Sequence, residues 1–157
     1  MRPEADTAAV VVTDVPAGTM SSAVAIDVLY DGHLHCRVTH GPSGQWFMTD
    51  APKDHEGEGK AFSPTDLVAS AVGACVATTM GILARRKQVD LTGVAVHVVK
   101  EMTQEPPRRI ASLTTTVTMP ARLSPEERTL LERAAATCPV HRSLHPDVHA
   151  PVTFTYL

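Results

Sequence analysis

The sequence predicts an α+β fold of mostly antiparallel sheet, and three observations carry that reading. A long apolar stretch from Ser63 to Lys87 has a helix start at one end and basic residues at the other; a hairpin signal lies on each side of it; and a second, shorter capped helix precedes a closing strand. Strands and helices therefore come in separate runs rather than in strict alternation.

Taken in order, residues 1–20 hold Pro3, Pro16 and Gly18 around a short Val-Val-Val-Thr run and read as an N-terminal arm, with residues 21–157 as a single domain. VAIDVLY and HLHCRVTH flank Asp31-Gly32, a pair that favours the left-handed backbone of a type I′ hairpin turn. On the second of these strands Leu34, Cys36, Val38 and His40 alternate to one face, and His33, His35, Arg37 and Thr39 to the other. Cys36 is thereby assigned to the core. The turn Gly41–Gly44 leads to a third strand around WFMTD, and APKDHEGEGKAF forms a flexible approach to the long helix.

Ser63, Pro64 and Asp66 supply an N-cap, a first-turn proline and an acidic third residue. Almost nothing polar follows until Arg85, so the helix is expected to be buried on every side. After it, LTGVAVHVVKEM and RIASLTTTVTM make a second hairpin, joined across Pro106-Pro107. Ser124, Pro125 and Glu127 repeat the capping pattern for a helix running to about Thr137. Pro139 then suits the first turn of a short helix VHRSL with Cys138 as its N-cap, and VHAPVTFTY ends the domain as a one-faced strand. Two small helices and one chain's sheets cannot cover so apolar a rod, which leads to the expectation of a homodimer.

The chain has 157 residues, 43% of them hydrophobic and 20% charged, with a formal net charge of −3; this suits one domain with a substantial core and lacks the basic footprint of a nucleic-acid or anionic-membrane partner. The first residues carry Glu4 and Asp6 with no signal-peptide core, and the expected location is cytoplasmic. Three cysteines, an odd number, do not make a structural disulfide framework and direct attention to reactive thiols or packing.

Cys75 sits about 17 Å along the long helix, too far for the helix dipole to activate it, so a thiolate there needs another donor or a cation; packing as a small hydrophobe is the alternative. Asp66 points to the opposite side of that helix. Cys138, at a helix start beside His141 and Arg142, stands where thiol pKa is lowered. A metal site from Cys138, His141, His145 and His149, or from His33 and His35, is weighed and set aside, because Pro146 breaks the helical spacing of the first set and isolated histidines are more often surface or capping groups. Phosphate-loop, serine-elbow and dinucleotide fingerprints are missing from the sequence.

SPTDLVASAVGAC and TCPVHRSL resemble the first- and second-cysteine motifs of the OsmC/Ohr family of bacterial thiol-dependent peroxidases, and the order of elements agrees from about Ser22 to Tyr156. The resemblance implies an intertwined homodimer with sites at the subunit interface. It further implies that Cys75 is the peroxidatic thiol, that Cys138 resolves it as a disulfide, and that a dithiol such as a lipoyl group restores the pair, with no metal, haem or flavin. In the best understood branch an arginine after the second strand polarises the thiolate and a glutamate after the helix-start proline holds it. Pro42 and Thr65 stand in those places here. Asp66 is then the displaced acid, and His40, Arg37 and Arg142 are the available cations. The alternative within the same fold is a non-catalytic small-molecule-binding protein.

Overall fold

The computed structural model describes residues 23–157, so the N-terminal arm lies outside the described residues. Strands β1 (Ile26–Gly32), β2 (His35–His40) and β3 (Trp46–Asp50) form one antiparallel sheet in that order. Val28 pairs with Val38, and Val38 with Phe47. The hairpin turn falls two residues later than Asp31-Gly32: β1 runs on through Gly32, and His33 (φ 51°) and Leu34 (φ 64°) make the reversal. Two consecutive left-handed residues are what a type I′ turn requires, so the turn type stands and its position is corrected. Gly32, at φ 86°, serves the adjacent bulge instead. His33 thus leaves the strand and does not share a face with His35.

Apart from Thr49 and Asp50 at the end of β3, which are buried, this first sheet is largely open among the described residues. Ile26, Val28 and Tyr30 are 53%, 62% and 61% exposed, Trp46 is 61% exposed, and Cys36, expected in the core, is only half-buried. Its β2 residues accordingly lack the clean inside–outside alternation expected of them.

Between β3 and the long helix the chain makes a 3-10 turn at Lys53–His55 and a left-handed step at Glu56 (φ 66°). The approach is more ordered than its Gly-rich composition predicts. Amides of Gly57 and Gly59 donate to the carbonyls of Pro52 and Ala51, and a Cβ at Gly57 would stand 1.7 Å from the Ala51 oxygen, so only glycine fits there.

Helix α1 (Pro64–Lys87) starts with a full capping box: the Ser63 hydroxyl accepts from the Asp66 amide, and the Asp66 carboxylate accepts from the Ser63 amide. It ends on Gln88 in the left-handed region, whose amide reaches the last-turn carbonyls. Burial is confined to one stripe, Ala69, Val72, Gly73, Val76, Met80 and Ala84. Ser70, Ala71, Ala74 and Thr78 on the other side are exposed, so among the described residues the helix is not buried on every side; the expectation from the sequence was that a second copy buries part of it.

The buried stripe packs on a second sheet of β4 (Ala95–Met102), β5 (Ile110–Met119) and β6 (Val152–Tyr156), ordered β4-β5-β6. β4 and β5 are antiparallel, but β6 runs parallel to β5, a departure from the antiparallel expectation. Two helices intervene between those strands, and a helical crossover is what lets a chain return in the same direction. The helices are α2 (Pro125–Ala135), with its own capping box on Ser124 and Glu127, and α3 (Pro139–Arg142). α2 stops short of Thr137 because the Thr137 hydroxyl turns back to the Ala134 carbonyl at 2.7 Å and the chain tightens into Cys138. Val76, Met80, Val117, Met119, Leu131 and Cys138 make the main core. The Tyr156 hydroxyl donates to the Glu132 carboxylate and Arg128 lies 4.1 Å over its ring, pinning β6 to α2; burial first, and that carboxylate second, push the phenol pKa up to about 12.

Candidate active site

Cys75 and Cys138, far apart in sequence, meet. α1 carries Cys75 on the side turned towards α3, and the tight α2–α3 junction sets Cys138 as N-cap, where its sulfur accepts from the His141 amide at 3.4 Å. Both thiols are free; Cys75 is half-buried and packs against the core cluster that contains the fully buried Cys138. The Thr79 hydroxyl, one turn on from Cys75, lies 3.9 Å from its sulfur.

Their electrostatics diverge. Burial pushes the Cys75 thiol up, yet hydrogen bonds from the Cys138 thiol, the Val140 amide and the Thr79 hydroxyl outweigh it and bring its pKa below the ordinary value. Burial raises the Cys138 thiol, and its bond to Cys75 raises it further. Cys75 is therefore the sulfur that ionises and Cys138 the one that keeps its proton. None of the groups lowering Cys75 is a cation.

Other residues predicted for the site lie elsewhere within one chain. His40 is exposed on β2, its Nδ1 2.6 Å from the Ser43 hydroxyl, and Arg37 is exposed on the same strand. Arg142 closes α3 and is exposed. None of these three hydrogen-bonds to Cys75. Asp66 is held in the capping box and by Lys100, whose ammonium lies 2.5 Å from Asp66 Oδ1 and 2.8 Å from Thr65 Oγ1. Burial opposes ionisation of Asp66, but Lys100 and Ser63 hold its pKa below the usual carboxylate value. Sequence reasoning missed Lys100. Its signal was there: on β4 it shares the inward face with Val96, Val98 and Met102, a lone charge among apolar residues.

Two clefts border α1. One of about 760 Å³ runs along its N-terminal half, lined by Phe62, Asp66, Ala69, Ala74, Val98 and Lys100 among others. A groove of about 360 Å³ between α1 and α2, lined by Thr79, Ile82, Leu130, Ala134 and Thr137, opens one helical turn from Cys75 and next in sequence to Cys138. Of the histidines once considered for a metal, His141 has its Nε2 2.7 Å from the Ala150 carbonyl and His145 lies beside Asp147. Among the described residues the tail histidines do not form a ligand cluster with Cys138.

Comparisons with known proteins agree with this architecture. A crystal structure of a protein from Psychrobacter arcticus 273-4, named for osmotic stress induction and a detoxification response, is 34% identical, covers 87% of this chain and 98% of its own, and superposes with a TM-score of 0.79. An organic hydroperoxide resistance protein OsmC from Legionella pneumophila is 16% identical with a TM-score of 0.70, over 87% of this chain and 99% of that one. One from Elizabethkingia anophelis, also named for organic hydroperoxide resistance, is 15% identical with a TM-score of 0.71, over 89% and 100%. No curated protein matches the sequence. The family model described as OsmC-like protein matches residues 57–152, a span holding α1, the second hairpin and both site cysteines, and the chain belongs to the OsmC-like family.

Proposed function

We propose that the protein reduces hydroperoxides through a Cys75–Cys138 dithiol and so protects against oxidative stress. The observation that supports this most is the thiol pair in contact with opposed proton affinities. The Cys75 thiolate attacks one oxygen of R′OOH; the O–O bond breaks, an S–O bond forms, and the departing R′O⁻ takes a proton and leaves as R′OH. Sulfur is oxidised to the sulfenic acid by two electrons. The Cys138 thiol then gives up its proton as its sulfur displaces hydroxide from Cys75, releasing water and closing a disulfide. A dithiol of the lipoyl class reduces that disulfide by exchange and is itself oxidised to its cyclic disulfide. The chemistry needs no metal or other cofactor.

An intertwined homodimer fits the two apolar faces left open in one chain, the first sheet and the outer side of α1. In such a dimer Arg37, His40 and Arg142 are the cations that could be supplied from across the interface. Turnover of cumene hydroperoxide with dihydrolipoamide tests the reading. Cys75→Ser should fall to background, and Cys138→Ser should consume a single equivalent of peroxide per chain and stop. Undiminished turnover in Cys75→Ser would refute the mechanism.

The 760 Å³ cleft favours a second reading, a binding protein for a small apolar ligand. That reading predicts ligand-dependent thermal stabilisation with no loss of thiols on exposure to peroxide.

A further inference from the structure

Away from the cysteines, the end of β3 and the loop that follows it hold a second cluster. Asp50 is fully buried, with a side chain 0% exposed. Its Oδ2 accepts the Lys60 amide at 2.8 Å, but its Oδ1 has no hydrogen-bond partner among the described residues. A buried carboxylate oxygen left without a partner costs of the order of 1–3 kcal/mol or more, so a structure that keeps one invites a ligand. Aimed at the same point are His35 from β2, 28% exposed in its side chain, and Glu58 from the loop; a ligating atom from each of the three lies within 4.8 Å of the others.

The spacing suits a shared cation as well as an ion pair, and the unpartnered oxygen favours the cation. His35 Nε2 stands 3.4 Å from Asp50 Oδ1, and that oxygen still lacks a hydrogen bond. Two ligands of one tetrahedral ion, each about 2.0–2.1 Å from it, are themselves about 3.4 Å apart. We propose that His35, Asp50 and Glu58 form a site for a divalent transition-metal cation of the zinc class, which clips β2, β3 and the loop leading into α1. One imidazole and two carboxylates suit zinc better than magnesium, which has little use for imidazole and demands an octahedron of oxygens. The sequence had pointed away from any metal; where one was considered, the residues were Cys138 with the tail histidines, or His33 with His35, and neither set included Asp50 or Glu58.

The ligands stand ready. The Lys60 amide holds Asp50 Oδ2 at 2.8 Å, which leaves Oδ1 as the atom available to a ligand. Position is fixed by the loop, in which Gly57 tolerates no side chain and Gly59 (φ 61°) turns the chain so that Glu58 faces back. Lys60 is the competitor: its ammonium lies 2.6 Å from Glu58 Oε2. Both side chains are more than half exposed, and such a pair contributes little, so the lysine can swing away as the cation enters.

The test is titration of chelator-treated full-length protein with Zn²⁺ by calorimetry, with thermal unfolding alongside. One Zn²⁺ per chain should bind and raise Tm. Glu58→Gln, an exposed change that leaves the fold alone, and His35→Ala should each weaken binding by on the order of tenfold or more. Lys60→Ala should tighten it, a response that a merely structural loop would not give. Absence of Zn²⁺ binding overturns the proposal, and so does binding that is equally tight in Glu58→Gln and His35→Ala, since the ion would then sit elsewhere, as on the two thiols. Mg²⁺ competing on equal terms would overturn the assignment to the zinc class.

Discussion

In the proposed reaction the two cysteines take different tasks because their neighbours differ. Hydrogen-bond donation lowers the Cys75 thiol and burial raises that of Cys138, so the first is the proposed attacker and the second the proposed resolver. The rate of Cys75 alkylation by iodoacetamide should therefore rise with pH through a midpoint below that of an ordinary thiol, because only the thiolate reacts. Cys138→Ala removes the leading donor and should move that midpoint upward; an unchanged midpoint would show that the Cys138 thiol does not tune Cys75. Much of this pair was readable in advance. Pro139 announced an N-cap at Cys138, and the small-residue helix around Cys75 carried a family signature. Their contact was not readable, since it depends on how α3 docks on α1, a packing event between distant segments. Thr79, four residues after Cys75 and so on its face, was a local signal left unused.

Among the elements, α1 was the most legible, because its start is written in Ser63, Pro64 and Asp66 and each does what its type predicts. Its surroundings were less so: an apolar sequence says that a face must be covered but not by which chain. The hairpin slip at Gly32 has a similar cause, for glycine serves a bulge as readily as a turn and only the register of β1 on β2 decides between them. Asp66 illustrates the limits of role assignment. Sequence read it both as the acidic third residue of the helix start and as the displaced acid of the active site; within one chain it closes the capping box and binds Lys100. Asp66→Ala should cost about 1 kcal/mol, or about 2–4 °C in Tm for a domain of this size. Because its pKa is lowered on folding, this contribution is present above the unfolded-state value of 3.8 and is lost as pH falls below it, so wild type and variant should converge in acid. A drop in turnover at unchanged Tm would instead place Asp66 in the chemistry.

For the molecule as a whole, the two sheets divide the work. The second sheet, α1, α2 and α3 build a core and hold the thiols, while the first sheet lies apart from that core with aromatic and branched residues open to solvent. If a second copy covers that surface, as proposed, sedimentation should give twice the chain mass of 16.8 kDa. Val28→Asp, a charge set in the middle of β1, should shift the protein towards monomer; a wild-type protein that sediments as a monomer at micromolar concentration would remove the dimer from the account. The central claim, that the two sulfurs form a redox couple inside one chain, is met most directly by the intact mass of the denatured, unreduced protein after one equivalent of cumene hydroperoxide. The account predicts a chain lighter by two hydrogens, with Cys36 still free and a cross-link joining the Cys75 and Cys138 peptides. An unaltered mass with all thiols titratable, or a disulfide joining two chains instead, would contradict it.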